Sequence, residues 1–168
     1  RAIESSYLLN ENRNLKDTLI PATPLVGNSE FIKKINKQLN QHCLSNSRLL
    51  IEGDFGTGKK HFTNLIHQNS KYKDKLPISI DFKKLSNESI DNMFIENKNS
   101  INENIFFRSN NNTLILHNIE TLPNIYQKKL LNFFENNKFF KQLGIKLNQK
   151  IITLTENNLE IEIEKGNF

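Results

Sequence analysis

Apolar residues follow two rhythms along this chain. Short, nearly continuous apolar runs alternate with longer stretches in which apolar positions recur every three or four residues. Arg48-Leu49-Leu50-Ile51, Pro77-Ile78-Ser79-Ile80-Asp81-Phe82 and Lys150-Ile151-Ile152-Thr153-Leu154-Thr155 read as strands, and Thr113-Leu114-Ile115-Leu116 as a strand buried on both faces. The helical rhythm predicts one helix from an N-cap at Asn28 to about His42, with Phe31, Ile35, Leu39 and Cys43 on one face. A second helix runs from His61 to Asn69 through Phe62, Leu65 and Ile66, and a short, weak one spans Leu85 to Phe94. Pro123 opens a further helix, Asn124 to Asn136, with Ile125, Leu130, Phe133 and Phe134 facing inward. Strands alternating with helices predict an α/β layered fold with a parallel sheet and a ligand at the carboxyl ends of its strands.

Two stretches keep neither rhythm. Residues 1–22 read as a polar linker or signalling helix with Leu8, Leu15 and Leu19 on a seam, broken by Pro21 and Pro24. Ile95 to Asn112 is rich in Asn and reads as a mobile loop around the patch Ile105-Phe106-Phe107, whose simplest role is to anchor the loop base on the core. The core is expected over residues 23–168.

Composition changes this picture little. The 168 residues suffice for one domain with a real core. Lys and Arg exceed Asp and Glu by 23 to 18, a mild surplus that fits a solvated basic surface and does not by itself point to nucleic acid. The single cysteine, Cys43, excludes an intrachain disulfide and suits a cytoplasmic setting, with the thiol buried on its helix. No apolar run is long enough to span a membrane. The chain opens on Arg and stops within its pattern, as expected of a piece of something longer.

The chemistry concentrates in Gly53-Asp54-Phe55-Gly56-Thr57-Gly58-Lys59, a G-x-x-x-x-G-K stretch between a predicted strand and a predicted helix. That context makes a phosphate loop: glycines let the backbone wrap a polyphosphate, its N–H groups and the helix N-terminus supply positive potential, and Lys59 adds a point charge. The next position ordinarily carries Ser or Thr, whose hydroxyl joins the Mg²⁺ shell; here it is Lys60. His61 and His67 lie off a shared helix face, with no Cys or carboxylate cluster to complete a metal site.

Taken together, the motifs resemble the AAA+ central domain of bacterial enhancer-binding regulators of the NtrC and NtrX type, a P-loop NTPase of three layers. Gly53 to Lys60 stand where that family has G-E-x-G-T-G-K-E. Leu25-Val26-Gly27-Asn28-Ser29 is similar to its L-V-G-x-S entry, beside the adenine, and Ser45 to Ile51 is closest to the NtrX branch. Asn64 to Ser70 matches the second half of the family's A-x-x-I-H-x-x-S helix, and Asn112 to Pro123 its G-T-L-x-L-D-E-I-x-x-L-P strand. Gln127-Lys128-Lys129-Leu130-Leu131 resembles Q-x-K-L-L, and Glu11 to Leu15 the helix that follows a receiver domain. The resemblance implies ATP or ADP held by Val26, Gly27 and Gly53 through Lys60. It also implies a homo-oligomer, a receiver domain upstream, a possible DNA-binding domain downstream, and an arginine finger and helical lid beyond residue 168.

Departures from the family pattern decide the expected mechanism. His117 replaces the Asp that holds the Mg²⁺ shell, and Asn118 replaces the Glu that polarises the attacking water. Imidazole is a poor partner for Mg²⁺, and an amide is not a base. Glu120, two residues on, is about 6–7 Å displaced along an extended chain. The sensor Asn falls on Glu156, with Asn157 one residue away. The sigma-54 contact loop, G-A-F-T-G-A, is absent. The expectation is a domain of an NtrX-like transcriptional regulator that binds nucleotide with little or no hydrolysis and without the usual Mg²⁺ ligands. The alternatives are an active ATPase remodelling sigma-54 RNA polymerase and a structural or oligomerisation module that binds no nucleotide.

Overall fold

A computed structural model describes residues 23–168; the linker helix expected over residues 1–22 lies outside the described residues. In chain order the elements are α1 (Glu30–Leu44), β1 (Leu49–Glu52), α2 (Lys59–Gln68), β2 (Ile78–Asp81), α3 (Asn87–Met93), α4 (Ile105–Arg108), β3 (Thr113–His117), α5 (Asn124–Asn136), α6 (Lys138–Gln142), β4 (Lys150–Thr155) and α7 (Leu159–Glu164). Short 3₁₀ turns occupy Phe82–Lys84, Lys98–Glu103 and Ile119–Thr121. The strands form one parallel sheet in the order β1-β4-β3-β2.

Period-two alternation along the strands sorts the core into two layers. Leu114 and Leu116 of β3, with Ile80 and Ile151, meet Phe106, Tyr126, Leu130 and Phe140 on one face. Ile115, Ile152 and Leu154 meet Leu39, Cys43, Leu65 and Ile66 of α1 and α2 on the other. Helices therefore cover both faces, which is the three-layer α/β arrangement expected from the alternation of elements. Among the described residues no helix is long and apolar enough to cross a membrane.

Polar groups fix the ends of α1. Its N-cap is Ser29, whose Oγ accepts from the Ile32 N–H at 3.3 Å, one residue later than the Asn28 cap expected from sequence. At the other end Lys150, buried at the start of β4, donates to the carbonyl oxygens of His42 and, at 2.8 Å, Ser45. That ammonium satisfies helix-end carbonyls, although burial pushes its pKa down. Burial likewise pushes the Cys43 thiol up, as befits the structural cysteine expected on this helix.

Two expectations need correction, and two elements went unread. The Asn-rich stretch Ile95–Asn112 carries two short helical elements and not an unstructured loop. Asn104 caps α4 by accepting from the Phe106 and Phe107 N–H groups, and Asn110 accepts from the Asn148 N–H at 2.7 Å. Asn112 ties the tract to Leu76 O at 2.7 Å. Phe106 is 1% exposed and stacks on Phe133 with ring centroids 3.9 Å apart, so the apolar patch is an anchor on the core. Ile125, expected inward, is 63% exposed; Tyr126 takes that place because the inward series runs 126, 130, 133. Finally, α6 and α7 carry no clear signal in the sequence, yet Phe139, Phe140 and Leu159 belong to the core.

Candidate phosphate-binding site

The loop after β1 is built by its glycines. The Gly53 N–H donates to Thr155 O, so β1 stays registered on β4 up to the loop. A Cβ on Gly53 would lie 3.0 Å from Thr57 Oγ1, the hydroxyl that closes the turn by donating to Asp54 O at 2.8 Å. Gly56 and Gly58 both take left-handed backbone, with φ of +83° and +88°. Gly58 is the N-cap of α2, and the first bond of that helix runs from the Phe62 N–H to Gly58 O. The earlier N–H groups of the first turn therefore face the loop, as an anion site requires. Lys59 arches back over it, donating to the carbonyl oxygens of Gly53 and, at 2.7 Å, Asp54. Phe55 is 89% exposed at the loop tip.

The other residues expected near the nucleotide are placed less decisively. Val26 is 92% exposed, and a Cβ on Gly27 would meet Ile32 Cγ1 at 3.1 Å, on the first turn of α1. Leu25 packs into the α1–α2 layer and seats this segment beside the loop helix. His67 anchors α2 to the sheet. Its Nε2 faces Lys75 O at 2.8 Å, and a carbonyl can only accept, so Nε2 carries the hydrogen and Nδ1 accepts from the Thr113 hydroxyl at 2.8 Å. Burial lowers the His67 pKa, and the ring is a neutral structural strut.

At the carboxyl ends of the strands a polar cluster faces the loop. His117 pairs in register with Asp81 of β2, and its Nε2 lies 2.8 Å from Ser79 Oγ. Burial, opposed in part by Asp81 and reinforced by Lys60 and Lys84, lowers the His117 pKa from 6.5 to about 4, so the ring is neutral. Asn118 takes left-handed backbone (φ 56°, ψ 48°), and its amide donates to Asp81 Oδ1 at 2.6 Å. Lys84 reaches Asp81 Oδ2 at 3.0 Å. Burial alone would raise the Asp81 carboxyl, but the Asn118 and Lys84 bonds outweigh it and hold the group below its ordinary value.

The turn after β3 also moves Glu120. Instead of lying displaced along an extended chain, it folds against β4, where Oε1 accepts from the Glu156 N–H at 3.3 Å. Its Oε2 is buried without a hydrogen-bond partner among the described residues. Glu156 itself binds Lys83, Nζ to Oε2 at 2.9 Å, while Asn157 is exposed beyond the strand end.

Apart from the free Oε2 of Glu120, the strand ends leave few acidic oxygens open to a hard divalent cation. The strand positions offer a neutral imidazole and an amide, and the carboxylates of Asp81 and Glu156 are each engaged by an ammonium. Asp81, Lys83 and Lys84 were not among the residues the motifs singled out. The rule that ligands sit at the carboxyl ends of parallel strands flags them once β2 is placed in the sheet.

The chain matches the Sigma-54 interaction domain family over residues 25–168. An NtrX-like response regulator of Rickettsia bellii is 32% identical over 178 residues, an alignment covering 100% of this chain and 37% of that protein. The regulatory protein AtoC of Escherichia coli is 27% identical, covering 100% of this chain and 39% of AtoC. Among solved structures, NtrX from Brucella abortus in complex with ATP superposes with a TM-score of 0.69 at 26% identity, covering 100% of this chain and 39% of that one. Its complex with ADP gives 0.68 at 25%. The P-loop NTPase domain of a sigma-54 activator from E. coli shares the fold, with a TM-score of 0.54 at 20% identity over 83% of this chain and 86% of that one. The chain thus spans well under half the length of the regulators it matches.

Proposed function

The chain belongs to the Sigma-54 interaction domain family, and we propose that it is the nucleotide-binding AAA+ core of an NtrX-like transcriptional regulator that holds ATP or ADP with little or no hydrolysis. One observation carries this reading: an intact glycine–lysine loop stands beside strand ends whose two mechanistic positions are a neutral imidazole and an amide. The loop backbone and the first turn of α2 would bind the phosphates, Lys59 would exchange loop carbonyls for phosphate oxygens, and Val26 and Gly27 would border the base. That the NtrX of Brucella abortus is described in complex with ATP and with ADP supports the choice of ligand.

With no acid at position 117 and no base at position 118, the site can retain a triphosphate without orienting water against it. The domain, residues 23–168, would follow a linker helix and a receiver domain, associate with copies of itself in the cytoplasm, and leave room for a DNA-binding domain. Contact with sigma-54 polymerase is not part of the proposal, since the G-A-F-T-G-A loop is missing.

Calorimetric titration of the intact protein with ATP and with ADP tests the reading. Saturable binding that Lys59→Ala weakens by about tenfold or more is expected, the scale of one lost charge-assisted contact. Heat changes absent from both proteins would leave only the structural-module alternative. A second reading, a working ATPase, is favoured by a single feature: the unpartnered Oε2 of Glu120 lies at the strand ends and could act as the base.

A further inference from the structure

The Lys83–Glu156 ion pair joins the two sides of the site. Lys83 follows β2 and Glu156 follows β4, and since β3 lies between those strands the pair crosses the carboxyl end of β3. We propose that the Lys83 ammonium takes the place of a divalent cation on the terminal phosphate, so that the site distinguishes a nucleoside triphosphate from a diphosphate without metal. This rests on the nucleotide-binding reading above.

Charge and geometry support it from several directions. The Lys83 side chain is 47% exposed and sits on a flexible four-carbon stem, so it can swing from Glu156 to a phosphate oxygen without disturbing the core. The pair adjoins the phosphate loop, since the Gly53 N–H at the start of the loop bonds Thr155 O, one residue before Glu156; the Lys83 hydrogen bond chiefly holds the Glu156 carboxyl below its ordinary range, and the Lys59 charge adds to the effect. Lys60 and Lys84 are felt in turn at His117. A divalent cation seated here would have to displace ammonium groups from both Asp81 and Glu156, and besides the Glu120 carboxylate it would find only an imidazole and an amide. A triphosphate brings its own negative charge to the same lysines and requires only that Lys83 turn from Glu156. A diphosphate held in the loop around Lys59 would leave Lys83 on Glu156, and the third phosphate is what would draw it away.

The test compares ATP and ADP affinities of the intact protein in EDTA and in excess Mg²⁺, for the unaltered protein, Lys83→Gln and Lys83→Arg. The unaltered protein is expected to prefer ATP in EDTA by about tenfold, one charge-assisted contact, and Mg²⁺ is expected not to tighten it. Lys83→Gln should bring the ATP-to-ADP ratio close to one while leaving ADP affinity in place, and Lys83→Arg should restore the preference. Equal affinities in the unaltered protein, a preference that survives Lys83→Gln, or ATP binding that requires Mg²⁺ would each overturn the inference. Those results leave Lys59-dependent ADP binding intact and so spare the wider reading, whereas no binding of either nucleotide would overturn both.

Discussion

At the scale of single residues, His117 carries the sharpest consequence of its surroundings. It is neutral because it is buried beside Lys60 and Lys84, with a pKa of about 4 against 6.5 in an open chain. Between those values the unfolded chain binds more protons than the folded one, so this group lowers stability as the pH falls from 6.5 towards 4 and has no effect above 6.5. The full penalty below pH 4 is about 3 kcal/mol. His67 acts with the same sign. Asp81 and Glu156 are depressed carboxylates whose contribution is present at neutral pH and lost lower, as the pH falls through their folded-state values. Urea denaturation between pH 4 and 7.5 should therefore show a steeper acid loss in the unaltered protein than in His117→Gln; parallel curves would mean the ring is not held neutral by the fold.

At the scale of elements, the loop and the strands obey rules that a sequence carries openly. Gly53, Gly56 and Gly58 fall where a close approach or left-handed backbone requires glycine. The continuous apolar runs of β3 and β4 announce strands buried on both faces. Less legible are elements whose stability comes from partners distant in the chain. Asn110 to Asn112 look like a low-complexity tract because their bonds run to Asn148 and Leu76, which no local window contains. Phe106 lies in a four-residue helix with no periodicity to read, yet it is almost wholly buried between Phe94 and Phe133. Truncating it should cost about 3–5 kcal/mol, the usual range for a buried phenylalanine. A Phe106→Ala protein whose thermal midpoint is unchanged would show that the segment is not part of the core.

For the molecule as a whole, a P-loop fold with its glycine–lysine loop stands beside strand ends that carry an imidazole and an amide. The three layers, the parallel sheet and the loop at its carboxyl edge were all legible from alternation and motif, as were the missing acids at 117 and 118. The replacement network was not: Lys83 and Glu156 are far apart in the chain and meet only because β2 and β4 flank β3. Glu120 was equally hidden, since the 3₁₀ turn that brings it to β4 depends on left-handed backbone at Asn118. The central claim is that this site retains nucleotide and does not turn it over. Release of inorganic phosphate from saturating ATP with Mg²⁺, measured on the intact protein beside Lys59→Ala, tests it most directly. The account predicts that the two proteins give the same background rate. Turnover well above that background, abolished by Lys59→Ala, would contradict it and make Glu120 the residue to examine next.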